Sequence, residues 1–250
     1  LAGLIQYNAA SVLVLDMHNE YGFDDTASDT KKTVPGLKTK FQARVRVVGL
    51  GAGAQIRMKT PDFNLEIAYK DIAPEDIELL TRELNLKETT PTTLDALVTS
   101  FGREGWFNAF HMMLHKATIE IEDEQTGKTR TVPHPNSVAA WANEKGVNEM
   151  AAESLHGKLN RVFDRPYIVE KPAADSISEV IKALEGGQHV ILSFGKNESD
   201  LDYLLVSNLL TRRIREAWEK HSNLFRSGKE KEPRPLVIVL EEAHKLLNRE

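Results

Sequence analysis

Two short stretches of this 250-residue chain place acids where a sheet could use them. The apolar run Leu236-Val-Ile-Val-Leu240 ends in Glu241-Glu242-Ala243-His244, and Val12-Leu-Val-Leu-Asp16-Met-His18-Asn-Glu20-Tyr21 repeats the arrangement near the start. Open α/β sheets bind their ligands at the C-terminal edge of the strands. Adjacent carboxylates at that edge suit nucleotide hydrolysis: one holds the water shell of Mg²⁺ beside the phosphates, and the next orients or deprotonates the attacking water. The alternative for Glu241 and Glu242 is a helix N-terminus, where acids complement the dipole. A second strand that delivers Asp16 and Glu20 to what should be the same edge makes coincidence less attractive.

Other patterns fall short of the chemistry they suggest. Gly49-Leu-Gly51-Ala-Gly53-Ala54 follows the strand-like Arg44 to Val48 and fits a relaxed dinucleotide fingerprint. That motif needs a helix directly after it. Here Gln55-Ile-Arg-Met-Lys-Thr-Pro61 reads as strand and turn, so the glycines are read as a hairpin loop. Gly127-Lys128-Thr129 ends like a phosphate loop, yet Glu122 stands where the first glycine belongs. His111 and His115 share a helical face, with Met112 in place of the glutamate a zinc helix requires. Asn197-Glu-Ser199 accepts a glycan only in a secreted chain. With no cysteine, disulfides, thiolate zinc sites and cysteine nucleophiles are excluded.

The elements that must position the acids follow from hydrophobic patterning. Val12 to Leu15, His189 to Phe194 and Leu236 to Leu240 are short apolar runs separated by helical patterns, the mark of a parallel sheet covered on both faces. Strands are also expected at Phe41 to Val48 and Asn64 to Tyr69, and helices at Ile177 to Leu184 and Ser199 to Phe225. Between these, the pattern turns helical: Glu75 to Leu86 after Pro74, Thr93 to Ala117, Ser137 to Lys145 and Asn148 to Phe163. One hairpin, Thr118 to Glu122 with Thr129 to Val132 around Gln125-Thr-Gly-Lys128, interrupts them. The expected organisation is a discontinuous α/β core of residues 1–70 and 168–250 and a mainly helical insertion of residues 71–167. Leu1 to Gln6 reads as the rear of a helix and Lys245 to Glu250 as the inside of another, so both ends read as cuts through elements.

Composition narrows the partners. Lys and Arg number 32 against 37 Asp and Glu, a net charge of −5 that provides no general basic field. Nucleic-acid binding would then need a local lining or an assembled pore. Lys38, Lys40, Arg44, Arg57 and Lys59 are the basic residues nominated for it. No apolar run approaches a membrane span, and Leu1 to Ala10 is too short for a signal peptide. A cytoplasmic chain is expected.

Strand-Asp16-x-His18-x-Glu20-Tyr21 early and strand-Glu241-Glu242-Ala-His244 late, with a helical insertion between, resemble the HerA-type ATPases of the HerA/FtsK group, hexameric P-loop DNA translocases and helicases. Gly186-Gly-Gln-His-Val-Ile-Leu-Ser-Phe194 and Leu204-Leu-Val-Ser-Asn-Leu-Leu-Thr-Arg-Arg213 are similar to the family's strand and helix leading into its Walker B motif. The resemblance covers about Leu1 to Tyr21 and Ala174 to Arg249. Met17 and Asn19 depart from the proline and glycine usual there.

The resemblance implies a RecA-like P-loop NTPase core with a mostly parallel sheet. It further implies ATP and Mg²⁺, a hexameric ring, duplex DNA as track, and a nuclease or other effector as partner. Glu241 is then the Mg²⁺-side acid, reached through water, and Glu242 the catalytic glutamate. Asp16 and Glu20 become the second acidic position near the γ-phosphate, with His18 and His244 behind them. Arg212 and Arg213 are either interface arginines or exposed helix surface. The family's phosphate loop, expected upstream of the first helix, is not in this sequence. A nucleotide-gated ring scaffold for a partner enzyme stays open beside the motor.

Overall fold

The computed structural model describes residues 1–27, 29–122 and 128–244. The expected turn at Gln125 to Gly127 and the helical ending from Lys245 lie outside the described residues. The chain divides into two compact units, Leu1–Ile67 with Pro172–Glu250, and Ala68–Lys171.

The first unit is built on a five-stranded sheet in the order Leu236–Leu240, Ser11–Asp16, His189–Ser193, Val45–Leu50, Phe63–Leu65. All four pairings are parallel. Ser11–Asp16 lies between Leu236–Leu240 (Leu15 opposite Leu240) and His189–Ser193 (Asp16 opposite Ser193). All six of its residues are buried, as are all five of His189–Ser193, which is why both read as unbroken apolar runs rather than alternating ones. Helix Ser176–Glu185 presents Ile177, Val180 and Leu184 at helical spacing, and helix Asp200–Arg226 presents Leu201, Leu205 and Leu209 on a long buried stripe. Their starts are capped by side chains: Asp175 accepts from Ser178 N, and Ser199 from Asp202 N.

Several expected boundaries move, each for a local reason. The strand expected from Phe41 begins at Val45, because Leu37–Phe41 forms a single helical turn and Gln42 then adopts a left-handed φ of 48°. The expected run Asn64 to Tyr69 breaks at Glu66. There Ser176 takes over the backbone, its Oγ accepting from Glu66 N (3.0 Å) and donating to Glu66 O (2.9 Å). The glycine segment after Leu50 is not a hairpin loop, since Val45–Leu50 and Phe63–Leu65 run parallel with Val48 opposite Phe63. No helix follows those glycines directly, so the dinucleotide reading stays excluded. Gly49 serves packing: a Cβ there would lie 2.8 Å from Ala54 Cβ and 3.0 Å from both Asn64 Oδ1 and Pro61 Cγ.

The second unit is mainly helical, with Thr90–Phe101, Trp106–Met112, Val138–Lys145 and Glu149–Phe163 around fully buried Trp106, Phe107 and Phe110. The helix expected from Thr93 to Ala117 is two helices, divided where Gly102 adopts φ 75°. That expected from Glu75 to Leu86 stops at Glu78 and continues as tight turns closed by Leu80 N to Ile77 O and Thr81 N to Glu78 O. The hairpin pairs Thr118–Glu122 with Thr129–Pro133. No helix among the described residues is long and apolar enough to cross a membrane.

Gly49→Ala should cost roughly 1–3 kcal/mol through overpacking, whereas Gly53→Ala, with open space but φ 66°, should cost about 1 kcal/mol through backbone strain. Urea denaturation of the two variants checks the difference.

Candidate nucleotide-hydrolysis site

Asp16 closes the strand Ser11–Asp16 with no solvent access. Its Oδ1 accepts from Glu20 N (2.8 Å) and its Oδ2 from Tyr21 N (3.1 Å) and Ser193 Oγ (3.2 Å). The carboxylate thereby folds residues 17–21 back over the strand end. Burial, reinforced by the negative charge of Glu241, pushes its pKa from 3.8 to about 6 against the pull of those three donors.

The turn it holds presents His18 N to Glu241 Oε2 at 3.0 Å. Glu241 is tethered twice more, its N–H to Leu15 O (3.4 Å) and its carbonyl accepting from Tyr203 Oη (2.5 Å). Glu242 follows with φ 49°, a left-handed conformation unusual for a side-chain-bearing residue, and its Oε2 lies 3.4 Å from His244 Nδ1. Glu20 and the His18 side chain face solvent at the same edge. The contact His18 makes with Glu241 is through its main chain.

Asn19 explains how the turn works without the family's usual glycine. It adopts φ 60°, which asparagine tolerates better than most residues. Its side chain clasps Gly195, accepting from Gly195 N (2.8 Å) and donating to Gly195 O (3.2 Å). Arg57 locks the same turn, donating to Asn19 O (2.8 Å) while pairing with Asp25. Sequence reasoning missed Asn19, Ser193 and Tyr203. The available signal was polarity: each is a hydrogen-bonding residue at the end of a buried strand, in the turn after one, or on a buried helix stripe.

The structure thus brings Asp16, Glu20, Glu241 and Glu242 to one sheet edge. Arg212 and Arg213 sit apart, about 14 Å further along the helix from Tyr203 by its rise per residue. Both pair with Glu216, at 3.1 and 3.6 Å, the contacts of a helix surface. Of the nominated basic residues, Lys38 bonds Asp62 (2.8 Å), Arg44 reaches Gln6 O (3.5 Å), and Lys59 lies 3.5 Å from Asp24, while Lys40 is exposed.

A cavity of about 590 Å³ lies in the helical unit and includes none of the nominated acids. His115 on its wall contacts buried Glu153 (2.8 Å) and stacks on His156. Burial, with the neighbouring His115, pushes the His156 pKa down to about 4. No group of three candidate metal ligands occurs among the described residues.

A five-stranded parallel sheet with helices and acids at the C-terminal edge of adjacent strands defines the chain as an α/β protein with a P-loop NTPase-type core. The family model for the helicase HerA central domain matches residues 1–214, and the chain belongs to that family, one of ATP-binding P-loop NTPases. The match includes Asp16, His18 and Glu20 and ends before Leu236–Leu240. No curated protein matches the chain.

Asp16 and His156 impose opposite pH dependences. Asp16 binds its proton more tightly folded than unfolded, so its contribution is full below about pH 4 and is lost as pH rises through about 6; by linkage it is worth about 3 kcal/mol. His156 resists protonation when folded, so stability is lost as pH falls from 6.5 towards about 4. In thermal melts across pH 4–7, Asp16→Asn should gain on the parent towards pH 7 and His156→Gln towards pH 4.

Proposed function

We propose that the chain is the core of an ATP-dependent DNA translocase or helicase of the HerA type, hydrolysing ATP at the subunit interfaces of a ring, a hexamer by resemblance, beside a nuclease or other effector. The observation that carries the reading is the meeting of Asp16 and Glu241 across adjacent strands, 225 residues apart in sequence, in a member of this family.

The residues present fit Mg²⁺ held mainly through water. Mg²⁺ keeps several waters and takes one or two carboxylates plus substrate phosphates, so a closed protein cage is not required. The charge of the clustered acids, which after burial raises the pKa of Asp16, Tyr21 and Tyr203, is the attraction such a cation would meet. Glu241 is the residue to hold it, because His18 N fixes one of its oxygens. When bound, the cation neutralises charge on the β- and γ-phosphates.

Glu242 acts as the base. Its carboxylate accepts a proton from the attacking water, with His244 Nδ1 3.4 Å from one of its oxygens. Asp16 works by holding the turn that aligns Glu241, and Glu20, exposed at the same edge, is free to face the nucleotide. Recognition of the phosphates themselves falls to the family's phosphate loop, whose pattern these 250 residues do not contain.

Glu242→Gln in the full-length protein should lower ATP turnover about a hundredfold or more while ATP binding persists; hydrolysis within a few-fold of the parent would remove Glu242 from the role. For DNA, a net charge of −5 means the assembled ring must concentrate basic groups in its pore. Duplex binding by the oligomer should weaken steeply with salt and show little sequence preference. No binding at low salt would turn the reading towards a scaffold.

A further inference from the structure

We infer that Tyr203 is a positioning residue for hydrolysis: its hydroxyl fixes the peptide between Glu241 and Glu242 and thereby sets the direction of the Glu242 carboxylate. The inference rests on Glu242 being the base, and it concerns a residue the sequence did not nominate.

Tyr203 is fully buried in the first turn of Asp200–Arg226, whose start is capped by Ser199. Its ring packs on Phe194 at 5.1 Å, directly after strand His189–Ser193. Helix and sheet thus both hold the ring. The hydroxyl donates to the carbonyl of Glu241, and that carbonyl belongs to the same rigid peptide plane as the Glu242 nitrogen. Glu241 N to Leu15 O fixes the preceding peptide, and His18 N fixes the Glu241 side chain. With position 241 held at three points, rotation at Glu242 decides where its carboxylate goes, and that residue sits at φ 49°. A left-handed glutamate persists only where its surroundings impose it, and such residues gather at functional sites. The surrounding carboxylates of Glu241, Glu242 and Asp16, after burial itself, push ionisation of the phenol up, so the hydroxyl keeps its proton and remains a donor.

Phenylalanine fills the same space without the hydroxyl. In crystals of Tyr203→Phe, Glu242 should leave the left-handed region. In the full-length protein that variant should lower kcat at least about tenfold, as misplaced groups do, with ATP affinity nearly unchanged. Combined with Glu242→Gln, it should cause no further loss, because Tyr203 acts through Glu242. A Glu242 still at positive φ in Tyr203→Phe, or an equal loss in the Glu242→Gln background, would overturn the inference. If Glu242→Gln alone retained turnover, the base assignment would fail, and the Glu242 conformation in the Tyr203→Phe crystals would still decide whether the hydroxyl sets it.

Discussion

A carboxylate withdrawn from water is costly unless donors meet its oxygens, and Asp16 meets two backbone N–H groups and one hydroxyl. The arrangement ties three parts of the first unit to one atom group: the strand that carries Asp16, the neighbouring strand that supplies Ser193, and the turn of residues 17–21. Because the turn is fixed, His18 N meets Glu241, which arrives on the strand at the other side. The site's geometry is therefore a product of sheet register. Shift either neighbouring strand by one residue and its facing polar group moves to the opposite face.

The edge also uses its polar contacts selectively. Asn19 and Arg57 brace the turn from the side of Gly195 and Asp25, while Tyr203 braces Glu241 from the helix. Glu20 and His18 are left towards solvent. Asp16 and Glu241 are thus held by hydrogen bonds, while the outer side chains are exposed.

Much of the sheet was legible from composition: the buried Val12 to Leu15 and the half-buried Leu236 to Leu240 are both apolar runs that needed no periodicity to be found. Where the outcome depended on distant partners, the reading failed. Nothing near Glu66 announces that Ser176 will interrupt its strand, and the single helical turn at Leu37–Phe41 is too short to show a 3.6-residue period. The same holds at the site. Asp16 and Glu241 stood out as acids after apolar runs, yet Tyr203 looked like one more member of an apolar helix stripe, since its hydroxyl gains meaning only when residue 241 lies beside it. Asn19 looked like a departure until its left-handed backbone and clasp on Gly195 gave it a purpose.

The pairing of Ser11–Asp16 with Leu236–Leu240 also bears on how the molecule is made. Contacts between residues so far apart in sequence close a long loop, and chains rich in such contacts fold slowly. Ser11–Asp16 precedes both of its neighbours in sequence, while the Ala68–Lys171 unit between them is continuous in sequence. Until residue 240 has emerged, an apolar strand edge stands open, the kind of surface on which nascent chains aggregate. Assembly of the acidic edge therefore waits on the pairing of Leu236–Leu240, and a chain that has not paired it has not brought Asp16 and Glu241 together.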